Sequence, residues 1–263
     1  MDNYADERDQ QILNSDKYTF FVLGRILGTD CRLLFTDHER LIICFTDYPF
    51  PVWIWTPDDA SIAEMDRAYQ LAKDNSLLDG THHFNLKYEL ADHFIKQAAA
   101  DGIDMSISMN MLAYDCPDPI KPQESPDGEV YLCTERDIGE LAWFIEQFHN
   151  EIGVDRKDKA GCLSEAEDFI RNGNSFFWKD PQGNNTASCR YSPNGNMASI
   201  NLVYTHPDHR RKHYAENLVY QVTMTAKKNG YVPMLYTNAD YKASNACYKK
   251  IGYILRGRLC TIS

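Results

Sequence analysis

Residues 203–230 read VYTHPDHRRKHYAENLVYQVTMTAKKNG, and residues 235–253 read LYTNADYKASNACYKKIGY. The first stretch leaves a strand at Val203, Tyr204 and Thr205, turns through Arg210, Arg211, Lys212 and His213, and enters a helix from Tyr214 and Ala215. A helix start has unpaired backbone N–H groups and the positive end of the macrodipole, so this layout predicts an anion cradle. Ala215, Leu218, Val219, Val222 and Ala226 form the apolar stripe of that helix, and Gly230 ends it. In the second stretch, a short apolar strand from Met234 to Thr237 leads to a helix with Asn245 and Tyr248 on one face. Gly252 closes this helix before a further strand at Tyr253. A phenol beside a phosphate-binding turn suits the protonation of a leaving group, where reach matters first and pKa second.

The 74 residues before this segment continue the pattern. EVYLC at 129–133 reads as a strand, and Ile138, Leu141, Ala142, Ile145 and Phe148 recur at helical spacing behind Thr134 and Asp137. SEAEDFIRNG reads as a short helix stopped at Gly173. SFFWKD, SCRYS and MASINLVYT read as strands set off by PQGNN and PNGN turns. The order over 129–263 is therefore β-α-α-β-β-β-α-β-α-β.

Together these motifs resemble the GCN5-related N-acetyltransferases (GNAT), whose pyrophosphate loop reads Arg or Gln, two residues, Gly, one residue, Gly or Ala. Arg210 and Ala215 are in pattern; His213 stands where the family usually has glycine, and Arg211 where a second glycine is common. SNACYKKIGY is similar to the family's last motif, with Tyr248 at the position that often serves as general acid. Tyr241 sits where many members carry a cofactor-contacting asparagine.

The resemblance implies an α/β fold with a mixed sheet, the acyl-CoA N-acyltransferase fold, and acetyl-CoA as cosubstrate. It implies that the backbone of Val203, Tyr204 and Thr205 pairs with the pantetheine chain. The N–H groups of Arg211 to Ala215 would hold the pyrophosphate, with charge from Arg210, Arg211 or Lys212. Asn245 would orient the cofactor or bond within its helix, and Tyr248 would give a proton to the departing thiolate or pack on the sheet. Many members carry a glutamate as base on the fourth strand, where this chain has Asn201. His206 and His209 have the chemistry of a base but lie beside the phosphate loop.

CPDPIKPQESPDGE at 116–129 has four prolines and a glycine, which exclude a helix or central strand. It sets a boundary between a domain at 1–115, a proline-rich linker at 116–128 and the acetyltransferase-like domain at 129–263. In the first domain, helical patterns at Glu7 to Leu13 and Lys17 to Leu27 precede strands CRLLFT, RLIICFT and PVWIWTP. A helix from Ser61 to Asp74, a strand and helix in FNLKYELADHFIKQAAADG, and the strand SISMNMLAY follow. This mixture resembles tandem acetyltransferase-like proteins with a smaller, degenerate first domain that has lost its phosphate loop.

The 263 residues carry a net charge of -11, but Val203 to Ser263 hold ten Lys or Arg against three acids, a local +7. The other 202 residues then carry -18, which favours a cationic amine partner and disfavours nucleic acid. YPFPVWIWTPDD, with Trp53, Trp55, Asp58 and Asp59, reads as alternating core and surface positions of an edge strand beside prolines, before it reads as a candidate amine-recognition segment. The eight cysteines form no CxxC pair and the histidines no ligand cluster, so no metal is expected and the cysteines read as small core residues. The apolar runs are too short to span a membrane and the first residues are acidic, so a cytoplasmic monomer or homodimer is expected. The reading is an N-acetyltransferase for a primary amine of a small molecule, amino acid or peptide. The alternative is a non-catalytic acyl-CoA-binding protein of the same fold.

Overall fold

The structure is a computed structural model and describes residues 1–153 and 156–263. Two compact units divide the chain. The first comprises Met1–Ala113, Thr237–Tyr241 and Leu255–Ser263, and the second Tyr114–Tyr236 and Lys242–Ile254.

The first unit contains helices α1 (Glu7–Ile12), α2 (Phe21–Ile26), α3 (Ile62–Asp74) and α4 (Tyr88–Ala100). Its strands are β1 (Leu33–Thr36), β2 (Ile42–Phe45), β3 (Val52–Trp55), β4 (Phe84–Leu86), most of β5 (Ile107–Asp115) and most of the final strand β11 (Ile254–Ile262). β1, β2 and β3 are antiparallel, β3 and β4 parallel, and β11 returns antiparallel to β4 through Cys260↔Leu86 and Ile262↔Phe84. Every residue of β2, β3 and β4 is buried, as continuous apolar runs require. Ile43, Ile54, Phe84, Leu86, Leu90 and Phe94 form the centre of this core with Cys260 and Ile262. α3 starts where Ser61 and Glu64 cap each other's backbone N–H groups.

The second unit contains β6 (Glu129–Leu132), α5 (Ile138–Ile152), α6 (Lys159–Arg171), β7 (Ser175–Lys179), β8 (Asn185–Asn194), β9 (Met197–Thr205), α7 (Tyr214–Lys228), most of β10 (Val232–Asn238) and α8 (Lys242–Lys250). Its strands lie in the order β10-β9-β8-β7-β6, antiparallel except for β9 with β10. Leu141, Phe144, Ile145, Phe177, Leu202 and Tyr204 anchor its core. The alternation of elements follows the sequence expectation. α6 begins earlier than SEAEDFIRNG suggests, because the Asp158 side chain accepts from Gly161 N–H and caps the helix there.

Two features depart from the domain layout read in the sequence. The last strand, read as part of the second domain, counts with the first unit because its residues 260–262 pair with β4. The proline-rich run is not a free linker but a strap held against the second unit. Ile120 N–H donates to Ile251 O at 2.7 Å, Asn217 Nδ2 to Glu124 O at 2.8 Å, and Trp178 Nε1 to Asp127 O at 3.1 Å. Gly252, at φ 98°, lies so close beneath the strap that a Cβ would meet Asp118 O at 2.5 Å.

The N-terminal segment is fastened by a buried histidine. His38 Nδ1 lies 2.8 Å from the fully buried Asp9 carboxylate and Nε2 lies 3.0 Å from Asp2, while Thr36 Oγ1 donates to Asp9 at 2.5 Å. Asp6, Asp9 and His38 bring ligand-type atoms within 4.8 Å of one another, a juxtaposition that no spacing rule on the sequence showed. Here His38 and Thr36 already occupy the Asp9 oxygens, and Arg8 those of Asp6. Burial works against the imidazolium, but the hydrogen bonds to Asp9 and Asp2 outweigh it and raise the His38 pKa. A raised folded-state pKa gives stability that is complete below the unfolded value of about 6.5 and is lost as pH rises through the folded value. His38→Gln should therefore lower the melting temperature more at pH 6 than at pH 9. An equal loss at both pH values, by calorimetry, would remove the charged form from the clamp.

Candidate active site

The hairpin of β8 and β9 pairs regularly from Asn194↔Met197 to Arg190↔Asn201, then shifts, and resumes at Ser188↔Tyr204. Leu202 and Val203 thus stand opposite the single residue Cys189, a β-bulge. Leu202 takes φ 52° while remaining buried. A non-glycine residue in this region costs on the order of 1 kcal/mol or more. Leu202 offsets that by packing in the core, and Ser188 Oγ donates to its carbonyl at 3.0 Å.

The parallel ladder of β9 with β10 runs from Val232↔Met197 to Met234↔Ser199. Among the described residues it goes no further, so the edge of β9 from Ile200 to Thr205 is released from its neighbour just where the bulge bends it. Val203, Tyr204 and Thr205, the residues expected to pair with an extended ligand, lie on this segment. An unpaired strand edge offers backbone donors and acceptors to an added chain.

After β9, Pro207–His209 form a 3-10 turn and His206 stacks on Trp143 with ring centres 5.1 Å apart. Arg210 folds back: Nε donates to Thr205 O at 3.2 Å, Nη2 meets Glu151 at 2.5 Å, and the guanidinium lies 5.5 Å from the Tyr204 ring. Burial opposes the charge on Arg210, yet its bond to Glu151 raises the pKa above the ordinary value. Arg211 and Lys212 are exposed and make no ion pair among the described residues.

Arg211 and His213 both take φ 61°, the left-handed conformation that glycine would supply at those two positions. His213 is held there by two carboxylates, Glu124 at 3.0 Å and Glu216 at 3.2 Å, and Asn217 Nδ2 bonds its carbonyl at 3.0 Å. α7 then begins at Tyr214 with no side-chain cap on its first N–H groups. Tyr214 and Ala215 are half-buried in this first turn. An uncapped helix start with a positive-φ turn in front of it is a concave set of backbone donors.

Asn245 and Tyr248 are both buried on α8. Asn245 Oδ1 accepts from Tyr114 Oη at 3.3 Å. Tyr248 is 8 % exposed, with its ring edge-on to Tyr253 at 5.8 Å, and its hydroxyl has no hydrogen bond among the described residues. Burial drives its phenol well above the ordinary range, aided by the thiols of Cys247 and Cys189. Cys189 is the residue opposite the bulge in β9.

Asn201 Nδ2 bonds weakly to Ser192 Oγ and Ser199 O, both at 3.4 Å, and offers no base. His206 and His209 lie ring to ring at 5.6 Å beside the turn. The aromatic and acidic segment at 48–59 is not an edge strand, and its Trp55, Asp58 and Asp59 already have partners within the chain. β3 lies between β2 and β4, Lys87 bonds Asp16 at 2.7 Å and Asp58 at 2.5 Å, and Trp55 Nε1 donates to the same Asp16. Lys87 also lies 5.9 Å from the rings of Phe20 and Trp55, so an internal ammonium fills the cation-binding set. Arg40 takes Asp59 at 2.9 Å. The bulge and the strap contact at Glu124 were not expected, since no proline or glycine marks Leu202.

Residues 183–261 match the family model described as FR47-like protein. A search of the curated proteins finds no match. Among solved structures, the chain resembles an acetyltransferase of the GNAT family from Colwellia psychrerythraea, 11% identical, over 99% of this chain and 97% of that one (TM-score 0.61). It resembles a GCN5-related N-acetyltransferase from Sphaerobacter thermophilus, 12% identical, over 92% and 84% of the two chains (TM-score 0.67). A third likeness, to a GCN5-related N-acetyltransferase from Kribbella flavida, is 13% identical over 94% of each chain (TM-score 0.62). The fold is thus the acyl-CoA N-acyltransferase fold, extending over nearly the whole chain, and the C-terminal segment is FR47-like.

Ser188→Ala should leave the buried Leu202 carbonyl without its side-chain donor and lower stability by about 1–3 kcal/mol. Urea denaturation checks this. A change within error would mean that β9 keeps its bulge without Ser188.

Proposed function

We propose that this chain is an acetyl-CoA-dependent N-acetyltransferase acting on the primary amine of a small molecule, amino acid or peptide. The observation that carries the reading is the succession, in one segment, of a released strand edge, two left-handed residues where glycine is expected, and an uncapped helix start. Backbone groups of Val203, Tyr204 and Thr205 suit the amides of a pantetheine chain, and the N–H groups of Arg211 to Ala215 suit a pyrophosphate. Arg211 and Lys212 are free to add charge. Arg210 is already bound to Glu151, and its task is to hold the end of β9 to the turn.

When bound, acetyl-CoA supplies an activated acyl thioester. Tyr248 keeps a proton on Oη at neutral pH, because burial holds the phenol in its acid form. As the amine nitrogen bonds to the acyl carbon and the carbon–sulfur bond breaks, that proton goes to the departing sulfur, the nitrogen of the new amide gives up one proton to solvent, and solvent returns a proton to the phenolate. The acceptor amine must arrive neutral or lose its proton to solvent, since Asn201 carries no charge to take it. The strongly acidic composition of the first 202 residues favours the approach of a cationic acceptor. The alternative, a non-catalytic acyl-CoA-binding protein, draws on Asn201 and on the two carboxylates engaged with His213.

Turnover separates the two readings. Tyr248→Phe should lower kcat by about 10²-fold with little change in the KM for acetyl-CoA. Thiol release from acetyl-CoA in the presence of a panel of amines measures it, and an unchanged kcat would take Tyr248 out of the chemistry. The double variant Arg211→Ala, Lys212→Ala should weaken coenzyme A binding about tenfold in a calorimetric titration, at unchanged melting temperature. Equal affinity would sink the phosphate-loop assignment.

A further inference from the structure

The first unit holds a pair of reactive side chains that acyl transfer does not use. Cys31 Sγ and Cys44 Sγ lie 3.4 Å apart, the one sulfur pair in such contact among the described residues. A disulfide, at about 2.0 Å between sulfurs, needs them only a little closer. Cys44 is buried in the middle of β2. Cys31 is half-buried in the irregular stretch between α2 and β1, and among the described residues its thiol otherwise bonds only the carbonyls of Ile26 and Thr29, each at 3.4 Å. Cys31 also lines an open surface groove with Asp30, Arg32, Thr46, Asp47 and Phe50.

We propose that Cys31 and Cys44 are an oxidant-sensitive dithiol that a small peroxide, entering at the groove, closes to an intramolecular disulfide. The roles follow from position. Cys31 is reachable from solvent and attacks first: its thiolate sulfur bonds to one peroxide oxygen, the O–O bond breaks, hydroxide leaves, and a sulfenic acid forms. Cys44 then bonds to the Cys31 sulfur, the S–O bond breaks, and the Cys44 proton leaves with the hydroxyl as water. Two thiols and one hydrogen peroxide thus give one disulfide and two waters. Burial and the neighbouring Cys31 push the Cys44 thiol far above its usual range, so Cys44 waits for Cys31 and does not compete for the oxidant. The bridge ties the connection after α2 to β2 and restricts the unfolded chain.

The test takes the reduced, purified full chain, adds a slight excess of hydrogen peroxide, blocks the remaining thiols with iodoacetamide, and maps the peptides by mass. The expected result is loss of two of the eight thiols, a crosslink between Cys31 and Cys44 that dithiothreitol reverses, and a higher melting temperature for the oxidised form. Cys44→Ala should stop at a Cys31 sulfenic acid that dimedone traps. Eight thiols remaining, a bridge between other cysteines, or loss of two of the seven thiols left in Cys31→Ser would overturn the proposal.

Discussion

Leu202 and Val203 stand opposite Cys189, and the extra residue means that β9 cannot run flat beside both of its neighbours. On the β8 side the ladder recovers through Ser188↔Tyr204 and Ala187↔Thr205; on the β10 side pairing stops at Ser199. The consequence is a strand whose last residues are fixed from one side and open on the other. The turn and the helix start assigned to the candidate site hang from that end of β9. The turn leaves it at His206, Arg210 bonds back to its last carbonyl, and α7 starts eight residues later. A buried leucine in a left-handed conformation is an unfavourable local choice, tolerated because the surrounding core fixes it.

The turn itself solves a problem that the sequence raised. Glycine would reach φ 61° without steric cost; Arg211 and His213 reach it with side chains attached. His213 is compensated by Glu124 and Glu216, and Glu124 belongs to the proline-rich strap, whose carbonyl also binds Asn217. The strap therefore supports the turn before α7 from outside, and its prolines, which exclude regular pairing, leave its backbone groups for such side-chain contacts. Arg211 has no such partner, which leaves its charge for an anion.

Most of the fold was legible in the sequence, because the elements of both units announce themselves by period. The stripe Leu218, Val219, Val222 and Ala226 gives α7 its buried face, and the unbroken apolar runs around Ile43 and Ile54 give strands buried on both sides. The final strand was misplaced because nothing local in LRGRLCTIS says which strand it pairs with; the partner, β4, lies 174 residues earlier at Cys260↔Leu86. Around the candidate site, the turn and helix start at 211–215 and the helix carrying Tyr248 were legible because their signals are local, and the bulge at Leu202 was not because it depends on register. Trp55 and Asp58 show the opposite failure. Their composition suits an amine, and the amine they hold is Lys87 of the same chain.

Amide hydrogen exchange with and without coenzyme A tests the central claim most directly, since the claim concerns particular backbone N–H groups. Binding should slow exchange in residues 200–205, where β9 is released, and in residues 211–216, where the turn meets α7, with the rest of the second unit changing less. Coenzyme A binding that leaves both segments exchanging as before would contradict the account.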